Sequence, residues 1–207
     1  MRDRLIKNGI RVLLILIVVV ISWRVIFYDV LLVDTVVAKF VASIRCDWLD
    51  FFMKFITSFG NTATIFILVS VSIWGLIKIV KNKKLAMFFL ISLVGNVLCN
   101  QLIKLIIRRE RPINSLIYVG GFSFPSGHAM VSMAFYGMLI YIFYRLLENN
   151  KLKLFLISLC GVLIFLIGFS RIYLGVHYFS DVIVGFSVSL LYLDLFSRIL
   201  DKYDIFT

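Results

Sequence analysis

The sequence predicts an all-α integral membrane protein, a six-transmembrane-helix bundle with an interfacial amphipathic helix between the first two spans. Hydrophobic residues make up 62% of the 207-residue chain and charged residues only 16%, against about 25% charged residues in soluble domains. Residues 55–77 and 85–103 contain no charge, and each stretch is long enough to cross a hydrocarbon core of about 30 Å. Because no linker or repeat divides the chain, we expect one domain over residues 1–207.

Six apolar stretches are the predicted spans. In chain order they are residues 10–28, 55–77, 85–103, 129–144, 154–170 and 182–196. The first follows basic residues, as in a signal peptide, but its length and the lack of a small-residue cleavage site favour a retained anchor. Cys46, Cys99 and Cys160 match no metal-binding spacing, so we expect them to fill space in the membrane core.

The segment between the first two spans has the pattern of an amphipathic helix, because apolar residues recur in it at steps of three and four. These residues are Val33, Val37, Phe40, Ile44, Trp48, Phe51 and Phe55. We expect this helix to lie at the outer membrane interface. The alternative is a helix that packs on the bundle and has no role in handling lipid.

The net charge of +11 is distributed in the way a membrane topology requires. Basic residues cluster before the first span, between the second and third, and between the fourth and fifth. The positive-inside rule then places both termini in the cytoplasm. The small size and the Lys, Ile and Asn content indicate a bacterial protein, so we expect the inner membrane. The charge therefore indicates contact with anionic lipid and excludes nucleic acid as the expected partner.

A further basic cluster follows the third span, on the side that this topology leaves outside. Lys104 and Arg111 are seven residues apart, so on a helix ended by Pro112 they would share one face with Arg108 between them. A row of cations suits a phosphate group. The alternative is that the topology is inverted here and that the cluster is an ordinary cytoplasmic flank.

The stretch FPSGHA, residues 124–129, starts the fourth span. Ser126 is a good N-cap, and Gly127 lets a ligand approach the backbone closely. The free N–H groups of a helix N-terminus form an anion site, with His128 in the first turn beside it. Taken alone, His128 is equally an interfacial histidine without a role.

A third cluster follows the fifth span. Asp181 lies four residues after His177, so on a helix its carboxylate would accept from one ring nitrogen and leave the other free as a nucleophile or base. The alternative is a structural His–Asp contact near the membrane surface. The predicted topology brings all three clusters to the same outer face, where costly ionisable groups usually serve function.

Together these residues resemble the three-part signature of the type-2 phosphatidic acid phosphatase superfamily, the lipid phosphatases related to vanadium haloperoxidases. The resemblance covers residues 100–186 closely, as a signature core. Its parts are Lys104, six residues and Arg111-Pro112; Pro125-Ser126-Gly127-His128; and Ser170-Arg171, five residues, His177, three residues and Asp181.

The resemblance implies a phosphohistidine mechanism with no cofactor and no metal. His177 would attack phosphorus, Asp181 would orient it, and His128 would be the general acid and then the base. The implied phosphate-binding residues are Lys104, Arg111, Ser126, Gly127 and Arg171. Arg108, Arg109 and Glu110 lie outside the signature, and we expect them to rim the site or meet lipid headgroups.

The expected substrate is a lipid phosphate taken from the surrounding membrane lipids, and the oligomeric state is not indicated. The outward site favours undecaprenyl diphosphate; phosphatidylglycerophosphate and phosphatidic acid are the alternatives. Three other functions compete with a lipid phosphatase: haloperoxidase-like chemistry, non-catalytic lipid binding or transport, and a serine hydrolase using Ser126. The last lacks the Gly-x-Ser-x-Gly elbow.

Overall fold

The chain is α-helical throughout the described residues, as the sequence predicts. The structure is a computed structural model that describes residues 2–206, with side chains from residue 5 onward. It has eight helices in this range: α1 (Arg2–Tyr28), α2 (Leu32–Ser43), α3 (Asp47–Ser58), α4 (Thr62–Lys78), α5 (Lys83–Ile107), α6 (Gly127–Leu146), α7 (Asn150–Tyr173) and α8 (Phe179–Lys202).

Five helices, α1, α5, α6, α7 and α8, are long and apolar enough to cross a membrane. Helices α3 and α4 meet at a bend of 47° and bring the number to six if the pair forms one span. The predicted span over residues 55–77 therefore contains a break at residues 59–61. Gly60 and Asn61, residues that favour turns, occupy the break.

The predicted amphipathic segment is two helices rather than one, because α2 ends at Ser43 and α3 begins at Asp47. Its aromatic side chains face outward: the exposed fraction is 60% for Phe40, 70% for Trp48 and 73% for Phe51. The opposite faces pack on the bundle, α2 against α7 and α8 and α3 against α7. Both interpretations from the sequence thus hold in part, since the segment packs on the bundle and also presents an apolar outer face.

Helix α6 is central in the bundle and contacts α5, α7 and α8. The largest apolar cluster joins these helices through residues such as Phe89, Phe135 and Ile167, each at most 1% exposed. This packing places the C-terminal ends of α5 and α7 beside the N-terminal ends of α6 and α8. All three predicted site clusters lie at this end.

The opposite end of the bundle holds the basic clusters that the positive-inside rule uses. There, Arg11 of α1 donates to Asp194 of α8 at 2.8 Å, and Arg145 of α6 pairs with Asp201 of α8. The structure therefore separates these clusters from the predicted site by the length of the helices.

Candidate active site

Lys104 and Arg111 lie close together, but not on one helical face. Helix α5 ends at Ile107, and Arg108 has a left-handed backbone with φ 52°, so Arg111 lies in the following loop. Lys104 Nζ donates to the Phe122 carbonyl at 2.6 Å, and Arg111 Nη2 donates to the same oxygen at 3.2 Å. The shared-face prediction is wrong because α5 ends at Ile107, before it reaches Arg111. Loop carbonyls bring the two cations together instead.

Arg108 is not part of this cation pair. Its side chain is exposed and donates to the Leu105 carbonyl at 2.9 Å, on its own helix. The prediction that Arg108 lies in a row between Lys104 and Arg111 is therefore wrong.

Ser126 caps the start of α6, as the sequence predicts. Its Oγ accepts from the Ala129 N–H at 3.4 Å, while its own N–H donates to the Asp181 carbonyl at 3.1 Å. This junction needs Gly185, because a Cβ there would lie 3.0 Å from the Ser126 carbonyl oxygen. The buried Ser126 hydroxyl thus serves as a cap, which favours this interpretation over a serine nucleophile. Gly127 is the first residue of α6.

His128 projects from the first turn of α6 toward the break between α3 and α4. Its Nε2 donates to Asn61 Oδ1 at 2.9 Å. The ring also lies against Gly60, where a Cβ would be 2.8 Å from His128 Cδ2. Asn61 was not among the predicted site residues, since nothing in the sequence marks this residue as a partner of a histidine 67 positions away.

Arg171 is a buried cation at the end of α7, only 1% exposed. Its Nη1 donates to Thr57 Oγ1 of α3 at 2.6 Å. Its Nε is buried and has no hydrogen-bond partner among the described residues. Since an unpaired buried donor is costly, this N–H is suited to an anionic oxygen entering the site.

His177 and Asp181 form the predicted pair, but across the start of α8 rather than on one helical face. His177 precedes the N-cap Tyr178, and Asp181 is the third residue of the helix. The distance from His177 Nδ1 to Asp181 Oδ2 is 3.4 Å, and Asp181 Oδ2 also accepts from the Tyr178 N–H at 2.9 Å. Ser123 Oγ, 3.3 Å from His177 Nδ1, donates to Asp181 Oδ2 and joins the pair.

The free nitrogen of His177 points to the cations. Its Nε2 lies 3.1 Å from Arg111 Nη1, a donor, so Nε2 carries the lone pair and Nδ1 the proton. Burial lowers the pKa of His177 to about 4; Asp181 opposes this change, and Arg171 and Arg111 add to it. His177 is therefore neutral at physiological pH, as a nitrogen nucleophile must be.

Arg109 is the main residue that the sequence analysis placed wrongly, because it neither rims the site nor faces lipid. Its side chain is fully buried and donates to Asp181 Oδ1 at 2.6 Å and to Asp34 Oδ2 of α2 at 2.7 Å. Asp34, also buried, accepts from the Ser180 N–H and hydroxyl at 2.8 Å each. The adjacent arginines Arg108 and Arg109 cannot be distinguished in the sequence. The left-handed backbone of Arg108 directs Arg109, and not Arg108, into the interior.

Four cations and two carboxylates lie at the site or bind its carboxylate Asp181 directly or through Arg109, which leaves a net charge of +2 without counting the histidines. They are Lys104, Arg109, Arg111 and Arg171, with Asp34 and Asp181. A phosphate monoester carries about −1.5 to −2 at pH 7, so the charges match. Residues 5–206 contain no group of three His, Cys, Asp or Glu side chains placed to hold a metal, and metal independence stays a prediction.

An apolar cavity of about 430 Å³ between α4, α5 and α6 leads to His128. Its walls include Phe66, Val69, Leu93 and Val97, among others. Its polar lining consists of Thr62, Asn96, Asn100, Gln101 and His128, with the backbone of Gly60 and Gly127. The cavity thus meets the site at Gly127 and His128, and its lining includes none of the cations.

Comparison with known proteins identifies the family of this chain. The family model of the PAP2 superfamily matches residues 85–204. Phosphatidylglycerophosphatase B of Bacillus subtilis is 34% identical over 163 residues, which cover 76% of this chain and 78% of that protein. Lipid A 4'-phosphatase of Bacteroides thetaiotaomicron is 26% identical over 170 residues, covering 74% of this chain and 70% of that protein.

Two solved structures share the fold. The crystal structure of a transmembrane PAP2-type phosphatidylglycerolphosphate phosphatase from Bacillus subtilis aligns with a TM-score of 0.85 and 30% identity, over 93% of this chain and 96% of that chain. LpxE of Aquifex aeolicus aligns with a TM-score of 0.66 and 21% identity, over 83% and 98%, and supports the fold alone. The resemblance found in the sequence is confirmed, and this chain belongs to the PAP2 superfamily of transmembrane phosphatases.

Proposed function

We propose that the protein hydrolyses the terminal phosphate monoester of a glycerophospholipid, with phosphatidylglycerophosphate as the leading substrate. The observation that carries this proposal is the neutral, oriented His177, whose Nε2 lies 3.1 Å from an Arg111 donor. The similarity to phosphatidylglycerophosphatase B supports this substrate over undecaprenyl diphosphate, which the predicted topology alone had favoured.

The proposed reaction has two steps. His177 Nε2 attacks phosphorus, the bond from phosphorus to the lipid oxygen breaks, and His128 gives that oxygen a proton. Asp181 accepts the hydrogen bond that the Nδ1–H of His177 donates. Its negative charge stabilises the ring, which becomes positive. Water then attacks the phosphohistidine with His128 as base, which releases phosphate and restores His177.

The cations stabilise charge on the phosphate oxygens in both steps. Arg111 lies beside the nucleophile, Lys104 lies next to Arg111, and Arg171 offers its unpartnered Nε. The N–H group of Gly127, the first residue of α6, adds a helix N-terminus to the same anion site, whereas the Ser126 N–H already donates to the Asp181 carbonyl.

The cavity lining supports a glycerophospholipid rather than an isoprenoid. Three amide side chains, Asn96, Asn100 and Gln101, line the cavity together with His128. Asn96 Oδ1 is buried without a hydrogen-bond donor among the described residues. Gln101, the exposed one of these amides, can donate to the ester oxygens and accept from the hydroxyl groups of a glycerolipid, whereas an isoprenoid chain offers only carbon next to its phosphates.

The test is phosphate release by purified protein in detergent, with EDTA present, from phosphatidylglycerophosphate, phosphatidic acid and undecaprenyl diphosphate in parallel. We expect the first to be cleaved fastest and His177→Ala to abolish release. A higher kcat/KM for undecaprenyl diphosphate would overturn the substrate, and loss of activity in EDTA would overturn metal independence. Full activity of His177→Ala would overturn the mechanism, and bromide oxidation by vanadate-loaded protein would favour haloperoxidase chemistry instead.

We also propose that the site faces the extracytoplasmic side of the membrane. Cys46 is exposed and lies at the site end of the bundle, where its N–H faces the Tyr173 hydroxyl at 3.4 Å. A membrane-impermeant maleimide should label Cys46 in intact cells, and Cys46→Ser should remove the label. Labelling of Cys46 only after the cells are lysed would place the site on the cytoplasmic side.

A further inference from the structure

Arg109 is a cation without contact to the phosphate-binding groups, enclosed between two carboxylates. Its side chain is fully buried, as are those of Asp34 and Asp181. One guanidinium nitrogen, Nη1, donates to Asp181 Oδ1 at 2.6 Å and to Ser180 Oγ at 2.8 Å. The other, Nη2, donates to Asp34 Oδ2 at 2.7 Å. The guanidinium carbon also lies 3.9 Å from the centre of the Tyr178 ring, within cation–π range.

The backbone of Arg109 holds the second partner of the histidine. The Arg109 carbonyl accepts from the Ser123 N–H at 2.8 Å. Ser123 Oγ in turn donates to Asp181 Oδ2 and lies 3.3 Å from His177 Nδ1. The side chain of Arg109 thus orients Asp181, and its backbone carbonyl orients Ser123. These are the two groups that face Nδ1 of His177.

We propose that Arg109, held by Asp34, is a positioning residue that orients Asp181 toward His177 for the reaction. The inference rests on the proposed function, because it concerns the nucleophile of that reaction. With Oδ1 bound to Arg109, the carboxylate of Asp181 has its Oδ2 left for Ser123, the Tyr178 N–H and His177. Without the guanidinium, a buried carboxylate would lose a charged partner and turn away from the histidine.

Asp34 completes the arrangement from helix α2. It neutralises Arg109 and at the same time binds the Ser180 N–H, in the first turn of α8 next to Asp181. Asp34, on a helix with exposed apolar residues, is therefore connected to Asp181 through the guanidinium of Arg109. The segment that the sequence marked as interfacial is in this way part of the support of the active site.

The chain offers a matched control for each of the two residues. Arg108 precedes Arg109 but is exposed and bonds only its own helix, at Leu105. Asp29 also approaches Arg109, but at 3.7 Å and with a side chain that is 61% exposed. Substitution of these two neighbours removes the same chemical groups without touching Asp181.

The experiment measures kcat, KM and inhibition by vanadate for four single variants and one double variant acting on phosphatidylglycerophosphate. We expect Arg109→Gln to lower kcat about 100-fold and Asp34→Asn about tenfold, because small misplacements of reacting groups cost this much. KM and the vanadate inhibition constant should stay within about threefold, because the phosphate-binding cations are untouched. Arg108→Gln and Asp29→Asn should match the wild type, and the double variant of Arg109 and Asp34 should be no worse than Arg109→Gln alone.

Several outcomes would overturn the inference. A kcat for Arg109→Gln within threefold of the wild type would refute it, as would an equal loss for Arg108→Gln. A loss of vanadate binding equal to the loss of kcat would indicate a general structural role. If Arg109→Gln does not fold, Asp34→Asn decides, and wild-type kcat in that variant refutes the proposal. A wild-type protein inactive on every lipid phosphate would instead contradict the proposed function, which separates the two failures.

Discussion

Gly60→Ala tests the position of His128 with the addition of a single methyl group. A Cβ at residue 60 would lie 2.8 Å from His128 Cδ2 and 2.9 Å from Ile167 Cγ2, while ordinary contacts begin at 3.4 Å. The imidazole must therefore retreat by roughly 0.6 Å, the difference between these distances, and its 2.9 Å hydrogen bond to Asn61 must break or bend. Since a shift of about 1 Å can cost 100-fold in rate, we expect kcat to fall about 10- to 100-fold, or about 1.4 to 2.7 kcal/mol.

The assay is steady-state phosphate release in detergent, with the thermal unfolding midpoint recorded for the same preparation. Gly161→Ala is the control, because a Cβ at this position in α7 meets no atom within 4 Å. It should leave kcat unchanged and stabilise the helix by about 0.5–1 kcal/mol. A Gly60→Ala protein with kcat within twofold of the wild type would refute the reasoning that His128 is held against Gly60 for catalysis.

Three further predictions concern His177, Asn61 and Arg171. Because burial lowers the pKa of His177 to about 4, protonation of this nucleophile should not lower kcat/KM, calculated on the substrate dianion, until the pH falls below about 5. Below about pH 4 kcat/KM should fall tenfold per pH unit, as the nucleophile gains a proton; an acid limb near pH 6.5, the ordinary value, would contradict this. Asn61→Ala should lower kcat about tenfold because His128 loses its partner, and equal activity would show that this hydrogen bond has no role. Arg171→Lys keeps the charge but loses the fork of donors, so its vanadate inhibition constant should rise at least about tenfold, and an unchanged constant would place Arg171 outside the phosphate site.

The membrane class, most of the spans and the family were predictable from sequence, because each depends on a local pattern. Uncharged stretches such as 85–103 need only be long enough to cross a bilayer. The signature residues, from Lys104 to Asp181, have fixed spacings that can be recognised without knowing how the chain folds between them. The structure brings these groups to one end of the bundle, as the predicted topology requires.

The wrong predictions about helical faces assumed that a helix continues where the structure ends it. Lys104 and Arg111 are brought together by loop carbonyls, and His177 pairs with Asp181 from outside α8. The burial of Arg109 and Asp34 was not predictable, since both belong to charged types that are usually exposed. Their burial is possible because they compensate each other's charge across 75 residues of sequence, and Arg109 also pairs with Asp181.

The left-handed backbone of Arg108 gives the six-residue spacing between Lys104 and Arg111 a physical meaning. At this residue, with φ 52°, the chain leaves the axis of α5, directs Arg109 into the interior and brings Arg111 back to the phosphate end. The spacing is therefore set by the number of residues that the chain needs to change direction after α5, not by the number of helical turns. Removal of Glu110, an exposed residue in this segment, would shorten the segment by one residue. The chain would then place either Arg109 between its carboxylates or Arg111 beside His177, but not both.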